Sequence, residues 1–120
     1  MTDATKAMRL MLLGAIERAV VTSIELEGPD GLHLDAALAE AAGFFEHEKL
    51  DVLDVTTGNR FACQVRFAKP ESGDVGFTGA SAHLVKPGEL VSLASFGWMK
   101  AKAAAKHQPR IVTVDDENHA

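Results

Sequence analysis

The 120-residue chain has one cysteine, no tyrosine, a single tryptophan and no long apolar run. A lone thiol, Cys63, excludes an internal disulfide and any multi-cysteine metal cluster. Without tyrosine, no phenol is at hand as a proton donor. The longest apolar run, "LMLLGAI", is far shorter than the roughly 20 residues of a spanning helix, and "MTDATKAMR" lacks the apolar centre of a secretion signal. A cytoplasmic protein with no membrane partner is expected. The formal net charge is −5. Basic residues gather only at Lys100, Lys102, Lys106 and Arg110, which reads as a solvated connecting helix or turn. No nucleic acid partner is expected.

What is present suits one soluble-type globular domain: 47% of residues are hydrophobic and 24% charged. A chain of this length supports one modest core, so 1–120 is read as a single domain with 1–7 and 116–120 as loose ends. Two strands are expected in "MRLMLLGAIERAVVTSIELEG", where "AVVTSIEL" alternates from Val21 to Leu26 like a half-buried strand. In "DAALAEAAG", Asp35 is placed to cap a short helix and Gly43 to end it. "EKLDVLDVTTGNRFACQVRFA" reads as two strands about a "TTGN" turn, with Phe61 and Cys63 on one face and Arg60, Ala62 and Gln64 on the other. Further turns at "PESGD", "TGASAH" and Pro87-Gly88 separate more strands. Six or seven short strands with little helix predict a mainly β, closed or nearly closed barrel with short helices.

Four ordered segments, "MRLMLLGAIERAVVT", "DAALAEAAGFFEHEKLDVLDVTTGNRFACQV", "TGASAHLVKPGELVSLASF" and "HQPRIVTVDDENHA", resemble the bacterial aspartate 1-decarboxylase family from about Met8 to about Asn118. The most telling match is "DVTTGNRF". The resemblance implies a double-psi β-barrel assembled as a homotetramer with sites at subunit boundaries. It also implies a self-cleaving Gly-Ser bond whose serine becomes a pyruvoyl group, the electron sink for decarboxylation.

The serine is missing. Alignment from one side puts the family's Gly-Ser on Asp30-Gly31, and from the other on Gly28-Pro29. From Ile24 to Val55 there is no Ser, Thr or Cys to attack a preceding carbonyl. Ser23 lies before the loop. No pyruvoyl, and no other cofactor, is therefore expected. The family's lysine falls at Ala15, its catalytic tyrosine at Gln64 and its asparagine at Thr78. No lysine of the chain offers the desolvated setting a Schiff base requires.

Arg60 occupies the position of the family's carboxylate-gripping arginine, so a small carboxylate is the expected ligand; turn closure or a subunit-boundary ion pair would also account for it. Cys63 is a candidate nucleophile or a small buried hydrophobe. Glu17 is a candidate general base or half of a surface ion pair. His33, in the rewritten loop, is a candidate acid or base or an exposed histidine. Thr78, Ser81 and His83 belong to a turn able to bind an oxyanion, or serve that turn alone. His47 and His107 have no partner at metal-ligand spacing, so no metal is expected. Two functions compete. One is a repurposed enzyme performing cofactor-free isomerisation, dehydration, cyclisation or decarboxylation on a small carboxylate. The other is a non-catalytic acid-binding or partner subunit of a decarboxylase-like tetramer.

Overall fold

The computed structural model describes residues 7–120. Its elements are β1 (Met8–Val20), β2 (Ser23–Glu25), β3 (Gly31–Asp35), α1 (Ala36–Ala42), β4 (Lys49–Asp54), β5 (Arg60–Ala68), β6 (Val75–Thr78), a 3-10 helix (Gly79–His83), β7 (Leu90–Lys100), α2 (Ala101–Ala104) and β8 (Arg110–Thr113). The strands form one sheet in the order β2-β6-β3-β5-β4-β7-β1-β8. Mainly β structure with short helices was expected, and the described residues hold eight strands rather than six or seven. The two strands expected in "MRLMLLGAIERAVVTSIELEG" are β1 and β2, with β2 starting at Ser23 rather than Val21. The chain leaves β1 after Val20, and Thr22 clips to Val75 through both its backbone N–H (2.9 Å) and its hydroxyl (2.9 Å).

Period-two alternation builds the core. Leu50 and Val52 of β4, Cys63 and Val65 of β5, Val91 and Leu93 of β7, and Leu32 and Leu34 of β3 all turn inward and are buried. Helix α1 is bounded as its sequence predicts. The Asp35 carboxylate accepts from Ala37 N at 2.8 Å, and Gly43 ends the helix in the left-handed conformation with φ 79°. Helix α1 packs closely on β1, where a Cβ at Gly14 would collide with the Ala42 carbonyl oxygen.

Residues 116–120 are not a loose end. Asn118 is 1% exposed. Its side chain accepts from Val20 N at 2.7 Å and donates to the carbonyls of Val20 (2.8 Å) and Gly73 (2.9 Å). An asparagine amide paired on both sides with main chain acts like a short extra rung of sheet. The other expected loose end, 1–7, lies outside the described residues except for Ala7. The basic segment forms the single-turn α2 and its flanking turns, as its charge pattern suggested. The outer halves of β1 and β7 leave Met8, Leu10, Phe96 and Trp98 exposed, and the chain measures 51 × 27 × 25 Å.

Candidate functional site

The loop between β2 and β3 is fastened to three neighbouring elements. Thr78 Oγ1 donates to the Pro29 carbonyl at 2.6 Å. Gln64 Nε2 donates to the Asp30 carbonyl at 2.7 Å, and Arg66 Nη2 reaches both carbonyls at 3.2 Å. The Asp30 carboxylate turns inward, where its Oδ1 accepts from Ser81 N (2.8 Å) and Ser81 Oγ (2.5 Å). Close approach requires Gly79: it has φ 68°, and a Cβ there would lie 2.8 Å from the Asp30 backbone.

These bonds revise the expected oxyanion turn. Thr78 and Ser81 do meet the loop between β2 and β3, but their donors are spent on Pro29 and Asp30 of the same chain. His83 is exposed and lines a different groove, of about 320 Å³, with Leu26, Thr57 and Asn59. The three residues do not converge on one pocket within the chain.

Cys63 sits under this loop and is 4% exposed. Burial above all pushes its thiol up to about 11; a hydrogen bond with Ser81 works against the rise, and the Asp30 charge adds to it. At neutral pH the sulfur is protonated. The thiolate nucleophile that was one reading of Cys63 does not form in this setting, and the small buried hydrophobe describes it.

Arg60 lies at the opposite end of β5. The preceding turn is closed by Asp54, whose Oδ1 accepts from Thr56 N (2.9 Å) and Thr57 N (3.1 Å), with Gly58 at φ 85°. Turn closure therefore does not need the guanidinium, and Arg60 is exposed. Arg60 pairs across the sheet with Leu53, and Leu53 with Ser92. The Ser92 hydroxyl donates to Glu17 Oε2 at 3.0 Å. Glu17 and Arg60 thus share one row of the outer face, about 14 Å apart at three strand spacings.

His33 is elsewhere on that outer surface. It is half-buried on β3, with Arg66 of β5 and Gly76 of β6 as its cross-strand partners. A groove of about 300 Å³ over Gly76 is lined by His33 together with Ser23, Glu25, Asp74 and Thr78. Arg60 and Arg66 are six strand residues apart, or about 20 Å. The chain therefore presents two polar regions: Glu17 with Arg60, and His33 with Thr78.

Asp30, Gln64 and Arg66 are the site residues that sequence reasoning did not single out. Alternation from Arg60 already places Gln64 and Arg66 on one face, but nothing local says that a loop lies across them. Among the described residues, no group of three or more His, Cys, Asp or Glu side chains is arranged to hold a metal ion. No described helix is long and apolar enough to cross a membrane.

Fold and site together define a small β-barrel with a polar surface site beside the short loop between β2 and β3. The aspartate decarboxylase family model matches residues 7–120. Over 110 residues the chain is 40% identical to aspartate 1-decarboxylase 1 of Frankia casuarinae, covering 92% of this chain and 71% of that one. It is 39% identical over 108 residues to aspartate 1-decarboxylase of Clostridium beijerinckii, covering 90% of this chain and 87% of the relative. The chain belongs to the aspartate decarboxylase family and has its double-psi β-barrel fold.

Proposed function

We propose that this chain remains uncleaved, carries no pyruvoyl group, and performs acid-base chemistry on a small carboxylate held by Arg60. The relatives named above are aspartate 1-decarboxylases, and the family makes its electron sink from a serine. The observation that carries the reading is position 31. Gly31 offers no hydroxyl, and a Cβ there would lie 2.7 Å from Arg66 Nη2 and 3.2 Å from the Gln64 carbonyl oxygen. The residues present do not fit a prosthetic group at this point, and no hydroxyl or thiol occurs from Ile24 to Val55.

Arg60 supplies paired donors for a carboxylate. Glu17, hydrogen-bonded to Ser92 in the same row, is the candidate base, and His33 the candidate acid. Because Arg60 and His33 are well separated within one chain, a homotetramer with sites between subunits belongs to this reading. The exposed Leu10 and Trp98, which are cross-strand partners, suit burial in such an assembly.

Mass analysis under denaturing conditions should show one species of 12.8 kDa; two fragments would refute the reading. Proton NMR in D₂O with a panel of small carboxylic acids should then show deuterium uptake or product with the wild type and not with Arg60→Ala. The second reading, a binding or partner subunit, is favoured by the engagement of Thr78 and Ser81 within the chain. Ligand line-broadening without turnover, or mixed tetramers with a processed decarboxylase in native mass spectrometry, would establish it.

A further inference from the structure

The groove that His83 lines, of about 320 Å³, lies where three segments meet: β2 with the loop after it, the turn before β5, and the chain between the 3-10 helix and β7. Its walls are tied together. Asn59 Nδ2 donates to the Leu84 carbonyl at 3.0 Å, which joins the turn to the chain after the 3-10 helix. Thr56 Oγ1 accepts from Leu90 N at 3.0 Å, and the Val21 carbonyl accepts from Gly88 N at 2.8 Å. A cleft whose walls are already joined needs little ordering on binding, and its volume falls within the range of small-molecule sites.

The lining divides by polarity. Ala82 and Val85 are buried and Ile24 packs against the core, while Leu26 and Leu84 are 53% and 42% exposed. Two leucines left partly in water beside one depression are stabilised by whatever apolar group covers them. Donors come from Lys86, His83 and Thr57. Thr57 Oγ1 accepts from Asn59 N at 3.1 Å, which leaves its own proton to donate. Among the described lining residues Glu89 is the one acid, and its Oε1 accepts from Lys86 N at 2.7 Å. In a chain of net charge −5, this groove sets a cation beside apolar surface.

We propose that the groove is a binding site for a small amphipathic monoanion, an aliphatic carboxylate longer than the short acids of the Arg60 reading. Lys86 and Thr57 meet its head, and Leu26 and Leu84 cover its chain. Arg60 is not among the lining residues, so the inference stands apart from that reading.

Butyrate, hexanoate and hexylamine, each titrated into the intact protein and followed by ¹H–¹⁵N and methyl NMR, provide the test. Hexanoate should move the Thr57 and Asn59 amides and the Leu26 and Leu84 methyls saturably, with one midpoint. Covering its two added methylenes should make it about four- to fifteenfold tighter than butyrate. Leu84→Ser, at an exposed position, should erase most of that difference. Lys86→Gln should weaken both acids by about two- to fivefold, as for an exposed charge pair. Arg60→Ala should leave the midpoints unchanged. Unmoved groove signals, equal affinity for butyrate and hexanoate, or hexylamine binding as tightly as hexanoate would each overturn the inference and leave the Arg60 reading untouched. A midpoint that changes with Arg60→Ala would merge the two sites into one and overturn it as well.

Discussion

Removing the Asp35 carboxylate should unfold the site-bearing strand from its far end. Asp35 closes β3, two residues after His33, and is 1% exposed. Its Oδ1 accepts from Ala37 N (2.8 Å) and Glu71 N (3.0 Å), and its Oδ2 from Gly73 N (2.9 Å). Asp35→Ala removes a helix cap, worth about 0.5–2 kcal/mol. It also strands the buried Gly73 N–H, at about 1–3 kcal/mol. The sum is about 3 kcal/mol, a large share of the roughly 5–15 kcal/mol of a typical domain. Asp35→Ser restores only the cap, and Asp35→Asn turns a donor toward the Gly73 N–H, so both should fall between Ala and wild type. Urea unfolding at fixed protein concentration reads these differences.

The carboxyl also predicts a pH dependence. Burial pushes its pKa up, but backbone donors from Gly73, Glu71, Ala37 and Leu38 outweigh that, and it lies below the usual value of 3.8. A depressed folded-state pKa means that the stabilisation is complete above the unfolded value and is lost as pH falls through the folded one. The wild type should therefore lose its advantage over Asp35→Ala in acid, below about pH 4. An Ala variant within about 0.5 kcal/mol of wild type at pH 7, or an advantage that grows in acid, would refute the reasoning.

Two further predictions concern burial. With its thiol pushed up to about 11, Cys63 has about one thousandth of its sulfur as thiolate at pH 8, against about a tenth for an ordinary thiol of pKa 9.0. Iodoacetamide should label it in urea and leave it unlabelled in the native state; rapid native labelling would restore it as a nucleophile. Asn118→Ala should destabilise by about 2–4 kcal/mol, since it breaks three hydrogen bonds and leaves Val20 N without its acceptor. A thermal shift indistinguishable from wild type would show that the carboxyl-terminal residues are the loose end their sequence suggested.

Much of the frame was legible because its signals are local. The Asp35 cap, the Gly43 stop and the inward turn of Cys63 and Val65 all follow from spacing within a few residues. Asn118 was not legible, because its partners Val20 and Gly73 are 98 and 45 residues away and a polar residue in "DDENHA" looks solvated. The site divides in the same way. Arg60, Glu17 and His33 could be named singly, but their separation on the outer face depends on strand order, which residue type does not encode. Thr78 and Ser81 were read only as members of a turn able to bind an oxyanion. That the loop itself consumes their donors could not be read from either segment alone.

The partners of the β2–β3 loop suit the proposed reading, in which the loop is a fitted element of the barrel. Gln64 donates to the Asp30 carbonyl, and Ser81 donates twice to the Asp30 carboxylate. A loop fitted to both the sheet and the 3-10 helix has a conformation to maintain, which requires coupling between the fitted residues. A double-mutant cycle measures it. Asp30→Ala and Ser81→Ala each leave the other's polar group short of a partner, so the double variant should recover part of the summed loss, with a coupling of about 1–3 kcal/mol. Strict additivity would mean that Asp30 and Ser81 meet without depending on each other, and the loop would then be a tolerated insertion in a barrel that has simply lost its chemistry.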